Sequence, residues 1–443
     1  MKKFFKIFII IMSLVICSYY LNNFFKQNSV KFKVFQGDLR VTPLYRGLKG
    51  AITFKCDLYG NCYVVFKDRI QKIENSGKSY DLFKDNDLDI MDAVIDGKVI
   101  FYSSNNKVYQ YNCEDKTSKC IINNIPNYGD YKKIAINKYE NHLYISIGSA
   151  TNSGIVGPDN LWTKNSAYNC DLTPKTLIIK GTNFGREKTG AFVPYGTSNI
   201  RGQIIPAHVP GNASIVTFDL DSHLLKNYAY GIRCVADMDF SSKGKLIAIV
   251  GGMENRGLRP IKGDTDYVYS IEKDEWYGWP DYSGGYPVND KRFKGLNGDK
   301  VNFILDKHPS TKIQLPIYKD NNLNSLLCVS IDKKGIFGKK DAIFVYDKKE
   351  NKIFTINRVG EVKELIQFSS SDKINSLQIT PYNMMFLDSN KGVLYKCSKL
   401  EKTFNYKNNK KLTYIYVISL VSALFFIIIC IKLKKIFYNK NKI

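Results

Sequence analysis

Residues 30 to 400 lack an amphipathic helical pattern of convincing length, which leaves strands as the material of the fold. The chain has no Cys-x-x-Cys pair and no His-x-x-x-His spacing, and its four His are scattered, so a zinc site has no support. The formal net charge is +24 (65 Lys and Arg against 41 Asp and Glu), yet no dense basic run lies outside the flanks of the terminal apolar segments. The surplus follows a composition rich in Lys, Asn, Ile and Tyr. With no basic stripe and no recognisable module, nucleic-acid binding is not expected. Tryptophan is scarce as well. Two of the three Trp fall in DEWYGWPDYSGGYPV (274–288), beside two Pro and three Gly. Pro removes a backbone donor and Gly offers nothing to pack, so this stretch reads as a rigid aromatic loop.

Apolar runs mark both ends. Lys2, Lys3 and Lys6 precede nineteen uncharged residues, 7–25, and no small-x-small cleavage site follows. An uncleaved signal-anchor is the reading preferred over a cleaved signal peptide. Residues 412–431 are uncharged and apolar on every face, and at a rise of about 1.5 Å per residue they match a hydrocarbon core of about 30 Å. Five Lys follow this second run and three precede the first, so the positive-inside rule sets both termini in the cytoplasm. The expected organisation is a signal-anchor or signal peptide (1–30), an extracytoplasmic domain (31–400), and a transmembrane helix with a basic tail (401–443). Eight of the ten Cys lie in the external part, where disulfides are permitted; Cys56–Cys62 and Cys113–Cys120 are close enough to form local bridges.

Between the ends, apolar run, polar turn and second apolar run recur at 91–104, 133–148, 238–252, 342–356 and 384–397. Each predicts two strands joined by a tight turn. Repeated hairpins point to radial repetition, and about six blades of four strands fit the length. The expected fold is an all-β, six-bladed β-propeller flanked by N- and C-terminal transmembrane helices. A pair of β-sandwiches is the second choice, since no Pro/Gly/Ser-rich linker divides the region. The stretch 148–210 reads as a long insertion, rich in Gly, Asn, Thr and Pro, and such loops are usually functional.

Four segments occur in order: LYISIGSATNSGIVGPDN (143–160), GAFVPYGTSNIRGQIIP (190–206), YAYGIRCVADMDFSSKGKL (228–246) and NRGLRPIKGDTDYVYSIEKDEWYGWPDYSGGYPVND (255–290). Together they resemble the glucose/sorbosone dehydrogenase family, six-bladed propellers that include sugar dehydrogenases dependent on pyrroloquinoline quinone (PQQ). The likeness is good over residues 120 to 320, and YGWPDYSGG is its most specific piece. The resemblance implies PQQ and Ca²⁺ at the mouth of the propeller, with Arg and Lys for the quinone carboxylates and a His base to take the sugar proton.

Several matching positions differ. The base position falls in NYGDYKK, where Tyr131 stands in place of His; Tyr has an ordinary pKa near 10. In the element matching Gly-x-Arg-Asn, Arg233 is kept and Cys234 replaces Asn. After IVGGM (249–253) the family acid is missing, with Glu254 displaced. Near the last blade, Thr380 takes the position of an Arg, before Pro381. By resemblance, Tyr131 and Arg233 are the catalytic candidates. Arg233, Cys234, Asn152, Arg256, Arg259 and Thr380 are the cofactor candidates. Trp276 and Tyr282 offer a sugar-stacking face, and Asp264 and Asp266 can supply oxygen ligands to Ca²⁺. Arg259 and its neighbours are equally well read as ion pairs with Asp264 and Asp266, and Trp279 as a wedge between blades.

Two functions follow. One is a membrane-anchored PQQ-dependent sugar dehydrogenase. The other is a propeller that has lost cofactor chemistry and binds a cell-envelope glycan or a protein at the membrane. The sequence assigns no oligomeric state.

Overall fold

A computed structural model describes residues 32–357 and 360–400. The two apolar terminal runs, 7–25 and 412–431, lie outside the described residues. Among the described residues no helix is long and apolar enough to cross a membrane. Strands dominate, and the helices among the described residues are two short 3₁₀ turns, Leu161–Lys164 and Leu296–Gly298.

Six antiparallel sheets follow one another along the chain, each with at least four strands. The first comprises Thr53–Cys56, Cys62–Val65, Arg69–Ile73 and Ser79–Lys84, and the second Ile90–Asp96, Val99–Ser104, Lys107–Asn112 and Thr117–Ile122. The third joins Ile136–Tyr139 and His142–Ile147 to Ser214–Asp219 and Leu225–Tyr230; the fourth joins Val235–Phe240, Leu246–Val250 and Tyr267–Ile271 to Tyr318–Lys319. Leu326–Asp332, Ala342–Asp347, Lys352–Ile356 and Val362–Gln367 make the fifth, with Lys33–Val34 on its outer edge. The sixth contains Ile374–Ile379, Met384–Asp388 and Val393–Lys399, and its outermost strand is the early segment Leu39–Arg46. The first strand of each sheet neighbours the first strand of the next, and that of the sixth neighbours that of the first. The result is a closed ring of six sheets, propeller-like, with an early and a late strand joined in the sixth. All five expected hairpins are present.

Packing between sheets explains why second strands are mostly apolar on both faces. In Leu246–Val250 every residue is buried. Leu246, Ala248 and Val250 face a core shared with Ile215, Met238 and Tyr269, whereas Ile247 and Ile249 face one shared with Val329, Ile331 and Val345. A strand sandwiched between neighbouring sheets buries both faces, each large aliphatic side chain contributing about 1.5–3 kcal/mol.

Two insertions depart from the four-strand plan. One, 148–213, leaves the third sheet after its second strand; the other, 272–317, leaves the fourth after its third. They pack together. Leu177–Ile179 pairs with both Gln203–Ile205 and Leu305–Lys307, and Ile155, Phe192, Trp276, Trp279 and Ile304 share one core.

Cys56 and Cys62 are bonded, opposite each other across the first hairpin. Cys113 and Cys120 are free, so the second expected bridge is corrected. The register explains it: Asn112 pairs with Thr117 while Cys120 pairs with Tyr109, so the two cysteines are not opposite.

Candidate functional site

The loops at one end of the ring bring together Tyr131, Asn152, Arg233, Glu254 and Arg256. Tyr131 and Arg233 precede the first strands of the third and fourth sheets; Asn152 and Glu254 follow their second strands. Glycines make the approach close. A Cβ on Gly148 would collide with the Tyr131 carbonyl oxygen, and one on Gly231 would collide with the Trp276 ring. Gly231 also has φ +71°, a backbone conformation that suits glycine.

Arg233 is 3 % exposed, and its guanidinium lies 3.8 Å from the centroid of the Tyr131 ring. Its Nε donates to the Asn152 carbonyl oxygen (3.2 Å); its Nη2 donates to the Tyr131 hydroxyl and to Asn152 Oδ1 (3.1 Å). Nη2 also stands 3.6 Å from Glu254 Oε1, and Nη1 stands 3.6 Å from Cys234 Sγ. Arg256 is just as fully engaged. Nε donates to Glu254, Nη1 to Asp159 (2.8 Å), and Nη2 to Asp130 (2.8 Å) and to the Tyr131 hydroxyl (2.7 Å). That hydroxyl in turn donates to Glu254 Oε2 (3.1 Å), and Asn324 Nδ2 donates to Glu254 Oε1 (3.0 Å).

Asn152 is the buckle of the cluster. Its Oδ1 accepts the Glu254 amide (2.7 Å), and its Nδ2 donates to the Glu254 and Arg256 carbonyls (2.7 and 3.2 Å). Its side chain is thus spent on protein groups and buried.

Burial alone would raise the Glu254 carboxyl, but Arg233, the Asn324 amide and Arg256 outweigh it and hold the pKa at about 2. Burial pushes the Tyr131 phenol well above its ordinary value, against the pull of the two guanidiniums and with Glu254 adding to the rise. Burial likewise raises the Cys234 thiol. The cluster therefore holds an ionised Glu, two Arg and a neutral Tyr, with Asp130 and Asp159 on its outer side.

The remaining sequence candidates lie elsewhere or are differently employed. Arg259 is 2 % exposed and pairs with Asp281 (2.8 Å), not with Asp264 or Asp266. It also donates to the carbonyls of Ser153, Pro280 and Asn302. Arg259 therefore ties the two insertions together from inside and does not reach the mouth. Asp264 accepts from the Met253 and Thr265 amides and the Tyr267 hydroxyl. Asp266 accepts from the amides of Asn324, Ser325 and Leu326. Both carboxylates are buried and occupied by protein donors, and among the described residues no group of three or more metal-ligating side chains is gathered. Trp276 is 1 % exposed, stacked on His308 and edge-on to Tyr282, so it presents no face to a sugar. Tyr282 is partly exposed and packs on Phe303 and His308. Trp279 donates through Nε1 to the Asn152 carbonyl (3.1 Å), which makes it a support of the cluster.

Thr380 does not join Tyr131 and Arg233. It follows the first strand of the sixth sheet, whereas Arg233 precedes that of the fourth, so the two stand at opposite ends of the ring. There its Oγ1 caps the turn 380–383 by accepting the Asn383 amide (3.1 Å). The strand before it, with Lys55, Asp237 and Lys333, lines a polar central channel of about 140 Å³ at that end.

Sequence reasoning overlooked Asp130, Asp159 and Asn324. It noted Glu254 only as displaced, yet its carboxylate reaches the cluster. The acids at 130, 159 and 254 around two Arg were the available signal.

No protein-family model and no curated protein matches the chain. Solved structures do. The holo form of the pyranose dehydrogenase PQQ domain from Coprinopsis cinerea aligns at a TM-score of 0.56 and 14% identity, covering 83% of this chain and 97% of that one. The calcium structure of the Trichoderma reesei carbohydrate-active enzyme of family AA12 aligns at 0.55 and 14%, covering 84% and 98%. A putative oxidoreductase (glucose dehydrogenase) from Thermus thermophilus aligns at 0.50 and 11%, covering 81% and 99%. This chain has the fold of those proteins, in agreement with the resemblance read from its sequence; at such identities the likeness reaches the fold and stops there.

Proposed function

We propose that this chain is a sugar-dehydrogenase-type propeller that acts by binding and not by quinone-dependent oxidation. The carrying observation is the Tyr131–Arg233–Glu254–Arg256 cluster. PQQ is a flat tri-carboxylate and needs guanidinium or ammonium donors that are free to meet it. Every nitrogen of Arg233 and Arg256 already has a protein partner, and three carboxylates face the two cations. A neutral, buried Tyr131 with a raised pKa is also a poor proton acceptor at neutral pH. The residues present do not suit the quinone, so no step is derived through it.

The terminal apolar runs support display of the propeller at a membrane, outside the cytoplasm, as the sequence leads one to expect. Full-length protein, supplied with PQQ and Ca²⁺ and assayed for dye reduction with a panel of aldoses, tests the reading. No turnover is expected. The double variant Tyr131→His with Cys234→Asn is expected to gain none, because the arginines remain paired. Saturable PQQ binding with sugar-dependent turnover in the natural protein refutes the reading.

A further inference from the structure

On the same end of the ring, at the seam between the second and third sheets, lies a hollow of about 490 Å³. That is within the range of roughly 300–1,000 Å³ common to small-molecule sites. One wall is aromatic. Tyr128 stacks on Tyr168 (4.9 Å between centroids, 27°) and meets Trp162 at 5.3 Å and 53°. The Tyr128 hydroxyl is tied beneath the wall to the Cys170 carbonyl (2.6 Å), and Tyr168 is 36% exposed. Trp162 Nε1 has no partner among the described residues, so no hydrogen bond fixes the tilt of that ring.

Amides also line the hollow. Asn105, Asn106 and Asn165 line the hollow, and among the described residues no hydrogen bond to their side chains is formed by other protein groups. Each amide carries two donors and an acceptor, a set that matches adjacent hydroxyls. The rigid rings match the apolar faces of a pyranose. Charge is sparse: Lys132 stands at the rim, and Asp89 is paired with Lys67 (3.1 Å). This chemistry suits a neutral polyhydroxylated ligand better than an anionic one. Tyr168 also borders a second hollow of about 530 Å³, lined by His208, Pro210 and His223, so a ligand longer than one sugar ring has somewhere to continue.

We propose that the hollow between Tyr128, Trp162, Tyr168 and the three asparagines is a binding site for a neutral oligosaccharide. The proposal supplies the ligand class for the binding reading above and rests on that reading. The wall is joined to the ion-paired cluster through Asn160, whose Nδ2 donates to Asp130 (2.7 Å), the same Asp130 that Arg256 engages. The cluster thereby helps to hold the aromatic wall in place.

The test uses the full-length protein with cellotriose, maltotriose and chitotriose as probes. Trp276 and Trp279 are 1 % and 6 % exposed, so a ligand-dependent change in Trp fluorescence reports Trp162. Saturable binding of at least one trisaccharide is expected, seen by fluorescence and by calorimetry. Tyr168→Ala is expected to weaken it about three- to tenfold, the range for loss of one aromatic contact. Asn165→Ala, at an exposed position, is expected to weaken it as well, while Tyr286→Ala, on a separate hairpin, leaves it unchanged. Absence of binding by all three probes, or affinity unaltered in both Tyr168→Ala and Asn165→Ala, overturns the proposal. So does binding of a sulfated oligosaccharide with none of the neutral ones. If PQQ-dependent turnover is found instead, the binding reading itself fails; if neither turnover nor trisaccharide binding is found, only the ligand class fails.

Discussion

Glu254→Gln isolates the charge at the centre of the cluster, since the amide keeps the shape and can still accept hydrogen bonds. Glu254 has a folded pKa of about 2 against an ordinary value of 4.5, a gap of about 2.5 units. At about 1.36 kcal/mol per unit this sets a ceiling of roughly 3.4 kcal/mol at neutral pH. Its side chain is 20% exposed and that of Arg256 30%. Solvent screening lowers the expected loss to about 1–2 kcal/mol. The sign follows from linkage. A depressed carboxyl contributes stability that is complete above its unfolded pKa and is lost as pH falls through 4.5 towards about 2. The difference between natural protein and Glu254→Gln in urea unfolding is therefore expected to be full at pH 7 and less than half as large at pH 3. An equal difference at both pH values, or none at pH 7, would refute the assignment of Glu254 as the ionised partner of Arg233 and Arg256.

Three other perturbations test the framework. Arg259→Met leaves Asp281 buried without its cation and is expected to cost about 3–5 kcal/mol in urea unfolding; a loss below about 1 kcal/mol would place the pair nearer to solvent. Gly231→Ala forces a Cβ towards the Trp276 ring at positive φ, and a loss of more than about 1 kcal/mol with altered Trp fluorescence is expected; an unchanged melt would show that the ring has room to move. Cys120 is exposed and free whereas Cys328 and Cys397 are buried, so maleimide should label Cys120 in native protein and the other two only after unfolding. Peptide mapping that finds Cys113 and Cys120 joined would refute this arrangement.

The ring of sheets was legible because its hairpins are local. Alternation and turn residues within about fifteen positions suffice to mark 238–252 or 384–397 as two strands. What joins the ring is not local. The pairing of Leu39–Arg46 with Val393–Lys399 spans nearly the whole domain, and the segment LRVTPLYR carries a Pro that speaks against a central strand. Half of the site was legible on the same terms. Tyr131 and Arg233 converge as matching positions should, and Asn152 joins them, since the strands that follow or precede them are regular. The partners of charged side chains were not. Arg259 lies five residues from Asp264 and twenty-two from Asp281, yet it pairs with Asp281 (2.8 Å), because burial of the insertions and not sequence distance decides which carboxylate meets it. Thr380 was misplaced by half a hairpin: a match to a two-residue pattern cannot tell the turn after a first strand from the loop before it.

The aromatic stretch 274–288 shows why the likeness conveys fold more surely than chemistry. Trp276 donates from Nε1 to the Trp279 carbonyl (3.2 Å) and closes on Gly231, two residues before Arg233. Trp279 holds the Asn152 carbonyl, and Asp281 anchors Arg259 together with the amides of Ile304 and Leu305. Each of these contacts fixes backbone near the mouth, and none reaches the groups that would do chemistry there. A lobe of this kind positions whatever side chains the loops carry, whether a base and free arginines or a Tyr131 locked between two paired ones. Its signature can therefore persist in a chain whose mouth is closed by its own ion pairs. For that reason the proposal of a binding propeller rests on the pairing of Arg233 and Arg256, and the presence of YGWPDYSGG does not bear on it.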